Sequence, residues 1–122
     1  MIQMVPLDPG FPIDRQLEID ASPVVLINIF TVDPAEEQAL LDAWKDDAEI
    51  MQRLPGYITT QLHRAIGDSP MYLNYAVWES TALFRAAFAN PDFRAKAAAY
   101  PPSAVASPHL FQKVAVAGLC VA

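Results

Sequence analysis

Cysteine is nearly absent. The single Cys120 excludes an internal disulfide framework and fits a reducing cytoplasm. As a small hydrophobe in an apolar tail it reads as packing rather than as a reactive thiol. Basic charge is also scarce, with 8 Lys and Arg against 14 Asp and Glu and a net charge of -6. No basic run interrupts this balance, so nucleic acid and anionic membrane are poor partners. No apolar run approaches the ~20 residues that span a bilayer. Met1-Ile-Gln-Met-Val-Pro6 has neither a charged n-region nor a clean apolar stretch, so no signal peptide is expected. The histidines number 2, and His63 and His109 are too few and too far apart to suggest a spaced metal-ligand set. Glycine-rich phosphate loops, dinucleotide fingerprints and the G-x-S-x-G elbow are missing. Metal and cofactor are therefore both expected to be none.

What the chain has in excess is apolar residues, 53% of the total against the usual ~45–50%. For one domain of 122 residues this implies a second buried surface, most simply a contact between two copies. The 11 prolines mark the joints. Pro6, Pro9 and Pro12 make residues 1–22 an irregular arm, because proline forbids continuous helix and interrupts strand ladders. Residues 23–122 form the folded domain. Phe11 and Ile13 of the arm are expected to reach a partner or to cover a pocket mouth, the alternative being a disordered tail.

Val24–Phe30 is a β-branched apolar run and reads as a strand buried on both faces. Asp33, Pro34 and Glu36 then form a helix-start signature with a capping box. Leu40, Leu41, Trp44, Ala48 and Met51 recur at helical spacing, with Trp44 assigned to the core. Asp42, Asp46, Asp47 and Glu49 read as a solvated helix face. Leu54-Pro55-Gly56 ends the helix, and Tyr57–Arg64 and Met71–Trp78 read as two strands joined by a loop. Ser80 caps the next helix, Asn90-Pro91 breaks and recaps it, and Leu110–Val116 reads as the last strand. The order β-α-β-β-α-β predicts a ferredoxin-like α+β fold, a four-stranded antiparallel sheet with two helices on one face. The bare sheet face predicts a homodimer.

Alternation along Met71–Trp78 puts Tyr72, Asn74, Ala76 and Trp78 on one face. An amide and an indole on one face suit a flat, partly polar small molecule. Asparagine is depleted in strands, so Asn74 and Asn28 are candidate ligand contacts. His63, the lone strand histidine, is the natural candidate base, and Tyr72 offers a phenol hydroxyl. Arg85 and Arg94 read as helix-face charges with a possible anion-clamp role. Phe84 and Phe88 form an i, i+4 pair suited to core.

Val24–Phe30, Leu54-Pro-Gly-Tyr57, Leu62-His-Arg64 and Val77-Trp-Glu-Ser80 occur in an order and spacing that resembles the antibiotic-biosynthesis monooxygenase family of dimeric α+β-barrel proteins. The resemblance covers roughly residues 23 to 117. It implies a cofactor-free enzyme that oxidises a small aromatic metabolite, an anthrone or quinol, with dioxygen. In that branch an asparagine four residues before a tryptophan holds the substrate, and Asn74 and Trp78 match. The branch's tyrosine, six residues after the tryptophan, is Phe84 here, and its helix arginine is nearest to Arg94. Another branch degrades haem with a strand asparagine, the tryptophan and a helix histidine. Asn28 and Trp78 match the first two, but Phe93–Tyr100 holds no histidine, which disfavours haem. The alternative to an enzyme is a dimeric module that binds a metabolite without turnover. Isomerisation or lactone chemistry on the same architecture would need a base but no oxygen.

Overall fold

Proline and glycine set the joints of the chain, and the regular elements fall between them. The computed structural model describes residues 2–122. Five strands, β1 (Gln3–Met4), β2 (Val24–Thr31), β3 (Tyr57–Arg64), β4 (Met71–Trp78) and β5 (Val105–Phe111), form one sheet in the order β1-β5-β2-β4-β3. The helices are α1 (Ile13–Gln16), α2 (Glu37–Met51), α3 (Thr81–Phe88) and α4 (Pro91–Lys96). From β2 to β5 this is the ferredoxin-like α+β fold. The sheet has one strand more than expected: β1 adds to the edge of β5, parallel to it, while the other pairings are antiparallel. The sheet is open, with β1 and β3 as its edges. Among the described residues no helix is long and apolar enough to cross a membrane.

Most of the punctuation acts as expected. The Ser80 hydroxyl accepts from Leu83 N at 3.1 Å, and Asn90 Oδ1 accepts from Asp92 N and Phe93 N at 2.9 and 3.2 Å. Gly56 sits at φ +93°, and a Cβ there would meet Leu83 Cβ at 2.5 Å. Only glycine fits both the left-handed backbone and the close approach. The capping box at Asp33 does not form. Its backbone N–H donates to Ser103 Oγ at 2.9 Å instead, and Pro34–Glu36 is a 3₁₀ turn leading into α2.

Two expectations for the ends of the chain are corrected. The last strand is Val105–Phe111, not Leu110–Val116, and Val114, Val116, Leu119 and Val121 are exposed. The arm expected to be irregular carries β1 and α1. Ile13 and Leu17 pack with Val24, Leu26, Trp78 and Phe84 in one of the two clusters of the core. The other cluster joins Phe30, Leu40, Tyr72, Tyr100 and Ala106. The division of the core falls across the middle of the sheet, and there the site lies.

Candidate functional site

Along β2 the helix-facing residues run Leu26, Asn28, Phe30; along β4 they run Ala76, Asn74, Tyr72. In each strand the flanking residues belong to the two core clusters and the asparagine falls between them. The register sets Asn28 opposite Asn74 on one side and opposite Pro108 of β5 on the other. Two amides and a proline thus form one row across the sheet, where apolar residues would otherwise have made the core continuous. The gap is a cavity of about 140 Å³. Asn28, Asn74 and Trp78 form its sheet side; Trp44, Asp47 and Phe84 stand on the helices above.

Its walls are mostly aromatic. Trp78 is 1% exposed and meets Tyr57 and Phe84 edge-on at 5.7 and 5.5 Å. Phe84 continues to Phe88 and Phe88 to Phe93. Arg94 lies over Phe88 at 4.9 Å and is itself exposed, which puts its guanidinium at the rim. Ile2 and Met4 complete the wall beside β5, a covering role the sequence suggested for Phe11 and Ile13.

The polar atoms inside are unevenly satisfied. Asn74 Oδ1 accepts from the Thr60 hydroxyl at 2.5 Å. Asn28 Oδ1, Trp78 Nε1 and Asp47 Oδ1 have no hydrogen-bond partner, and among the described residues no other buried side-chain nitrogen or oxygen lacks one. All three line this cavity. Buried polar groups in folded proteins are overwhelmingly paired, since each unmade bond costs about 1–3 kcal/mol. Three orphans around one space make it the candidate site.

Asp47 was not legible as part of this site. The sequence groups it with a solvated acidic face, yet it is 8% exposed. Its position seven residues after Leu40 and three after Trp44 puts it on the apolar stripe of α2. That spacing was the available signal. Burial pushes its carboxyl up to about 6, and the neighbouring Tyr100 hydroxyl and the Lys96 charge offset only part of the effect. Burial likewise pushes the Tyr100 hydroxyl far above the ordinary phenol value.

Of the expected site residues, Asn28, Asn74, Trp78, Phe84 and Arg94 all line the cavity. His63 does not. Leu62 and Arg64 face the helices, so alternation turns His63 to the open face of the sheet, where it is exposed and Nδ1 lies 3.3 Å from Leu73 O. The base role drawn from His63 therefore falls away. Tyr72 shares the Asn74 face but lies beyond the cavity. Its hydroxyl donates to Glu37 Oε1 at 2.6 Å, and Arg64 Nε donates to the same oxygen at 2.8 Å. The two bonds hold the Glu37 carboxyl below its usual range. This triad is structural support at one end of the sheet. His109, like His63, faces away from the cavity and meets Gln16 Nε2 at 3.0 Å.

The chain has relatives in sequence and in fold. The family model for antibiotic biosynthesis monooxygenase matches residues 23–99. Tetracenomycin-F1 monooxygenase of Streptomyces glaucescens is 34% identical over 67 residues, which are 54% of this chain and 59% of that one. Deoxynogalonate monooxygenase of Streptomyces nogalater is 35% identical over 77 residues, 62% of this chain and 63% of that one. The match thus spans about six-tenths of each of these curated relatives. The crystal structure of SnoaB, a cofactor-independent oxygenase from Streptomyces nogalater, superposes with a TM-score of 0.68 at 30% identity, covering 80% of this chain and 99% of that one. By its family match, its sheet order and its likeness to these proteins, this chain belongs to the antibiotic biosynthesis monooxygenase family.

Proposed function

We propose that this protein is a cofactor-independent monooxygenase that oxidises a small aromatic substrate of the anthrone or quinol class with dioxygen. The observation that carries the reading is the convergence of Asn28 Oδ1, Trp78 Nε1 and Asp47 Oδ1, all buried and unpartnered, on one aromatic-walled cavity. A flat hydroxy-ketone has the right complement. Its hydroxyl donates to the Asn28 carbonyl oxygen and its ketone oxygen accepts from the indole N–H, while the ring system fills the space beside Phe84. Relatives bearing monooxygenase and cofactor-independent oxygenase names support the reaction class.

The chemistry needs little from the protein beyond binding, a base and donors for developing charge. Loss of a proton from the acidic methylene leaves an electron-rich enolate. The enolate gives one electron to dioxygen, and the radical pair combines to form a carbon–oxygen bond and a peroxide. Loss of the second methylene proton with cleavage of the O–O bond leaves a ketone and releases water. One methylene and one dioxygen thus become one carbonyl and one water. The indole N–H and the asparagine amides stabilise the enolate oxygen, and aromatic walls keep water from the peroxide.

The bare face of the sheet supports a homodimer. Val25, Ile27, Ile29, Leu73 and Val77 alternate with the cavity-lining residues and lie on the side away from the helices. A single exposed thiol fits a reducing compartment such as the cytoplasm.

Oxygen uptake by chelator-treated protein against anthrones and dihydroquinones tests the enzyme. Uptake above the spontaneous rate is expected, falling about tenfold or more in Trp78→Phe, which keeps an aromatic ring and removes the N–H. Fluorescence quenching by the same compounds with no uptake would favour the binding module, a reading that the hydroxyl-free Phe84 wall motivates.

A further inference from the structure

We propose that Asp47 is the general base of this site: its carboxylate, set in the helical wall across from the Asn28–Asn74 row, takes the first proton from the substrate's acidic methylene. The proposal deepens the oxygenase reading and rests on it.

The geometry selects Asp47 by position. It is the one carboxylate among the residues that line the cavity. It is nine-tenths buried, and Oδ1 makes no hydrogen bond to any described residue. An oxygen in that condition keeps an uncommitted lone pair, and its residue stands in the wall of the space where the substrate's ring would lie. Apart from the phenols Tyr57 and Tyr100, which also line the cavity, the other proton acceptors are turned elsewhere. His63 and His109 are on the far side of the sheet. The Tyr72 hydroxyl is committed to Glu37, and Glu37 to Tyr72 and Arg64. Cys120 is exposed in the C-terminal tail, outside the cavity lining.

The charges around Asp47 suit the role. Asp46 on the same helix raises its proton affinity, Lys96 of α4 and the Tyr100 hydroxyl lower it, and burial is the largest influence. Arg94 of α4 stands at the rim of the same cavity. A carboxyl held near 6 is mostly ionised at neutral pH and is still a better base than an ordinary aspartate. In the step itself the methylene C–H bond breaks, its electron pair stays on the ring system as the enolate, and the proton passes to Asp47 Oδ1. The enolate oxygen then faces the Trp78 N–H and the asparagine amides. No oxidant takes part until dioxygen accepts an electron from the enolate.

Proton removal can be watched without oxygen. Under anaerobic conditions in D₂O, NMR follows exchange of the methylene protons of 1,8-dihydroxyanthrone. Wild-type protein is expected to speed the exchange, with a rate that falls below a midpoint near pH 6. Asp47→Asn, nearly identical in volume, is expected to lose that acceleration by about a hundredfold while quenching of indole fluorescence still reports binding. Equal exchange in the variant would overturn the role of Asp47 and leave the oxygenase reading intact. Exchange without subsequent oxygen uptake would overturn the oxygenase reading and leave Asp47 as a base. Absence of both in wild type would overturn both. A flat wild-type profile from pH 5 to 8 would reject Asp47 even if the variant failed to fold.

Discussion

A single buried carboxylate ties the site to the stability of the molecule. Asp47 has an ordinary value of 3.8 and a folded value of about 6. The folded state therefore holds this proton more tightly than the unfolded state. Its contribution is fully present below about pH 4 and is lost as the pH rises through 6. Asp47→Asn removes that dependence. Relative to this variant, wild-type stability is expected to fall by about 2 kcal/mol between pH 4.5 and 7. Urea midpoints of the two proteins at both pH values measure the difference, and a constant gap would show that Asp47 does not titrate with folding. At this scale the sequence was partly readable. Asn28, Asn74 and Trp78 stood out because polar and indole groups on a strand face demand partners. Asp47 was hidden by its neighbours Asp42, Asp46 and Glu49, whose shared charge obscured a helical angle different from theirs. His63 misled for the opposite reason. Its chemistry was attractive, and the period of two, which already set Asn74 and Trp78 together, turned it to the other face.

Among the elements, β5 shows why the last strand was misread and how its exposed edge is managed. Pro108 lies in the strand, and proline weakened the case for a ladder there. The register makes it harmless. Ala106 O accepts from Val5 N at 2.9 Å and Leu110 N donates to Gln16 Oε1 at 2.7 Å. Pro108 lies between them, beyond the end of β1, and offers that edge no N–H. The N-terminal segment thus covers the β5 edge position by position, which limits strand addition by another chain. Gln16 is the fastening. It is 5% exposed, and Nε2 also donates to Phe11 O at 2.7 Å. Gln16→Ala leaves that carbonyl and the Leu110 N–H without their partners. It is expected to lower stability by about 1–3 kcal/mol, measured by chemical denaturation; an unchanged midpoint would show that water replaces the side chain at no cost. None of this was legible in the sequence, because a glutamine in a proline-rich stretch carries no signal of a partner so far along the chain.

For the whole molecule, the central fact is a sheet with two unlike faces. Helices cover the face that holds the cavity, and the other presents apolar side chains alternating with exposed Tyr75, Met71 and Phe111. The ferredoxin-like order was readable from element sequence alone, since helix and strand periods were clean from Val24 to Phe88. The edge strand β1 was not, since two residues carry no period. If the open faces of two copies pack together, light scattering is expected to give twice 13.4 kDa at micromolar concentration. Leu73→Asp, which buries an unpaired charge in such a contact, is expected to give the single-chain mass with its helical signal intact. A wild-type single-chain mass would dispose of the dimer.

The pairing of Gln3 with Val105 also orders events in time. A ribosome makes the residues of β1 long before those of β5, so Ile2 and Met4 are synthesised early and find their places late. Until β5 has emerged they have no edge to lie along, and the cavity lacks both that wall and Pro108. Closing so large a loop is the slow part of assembling such a topology. The cavity is therefore incomplete for most of the chain's synthesis, and a small molecule that needs those walls can meet only the finished protein.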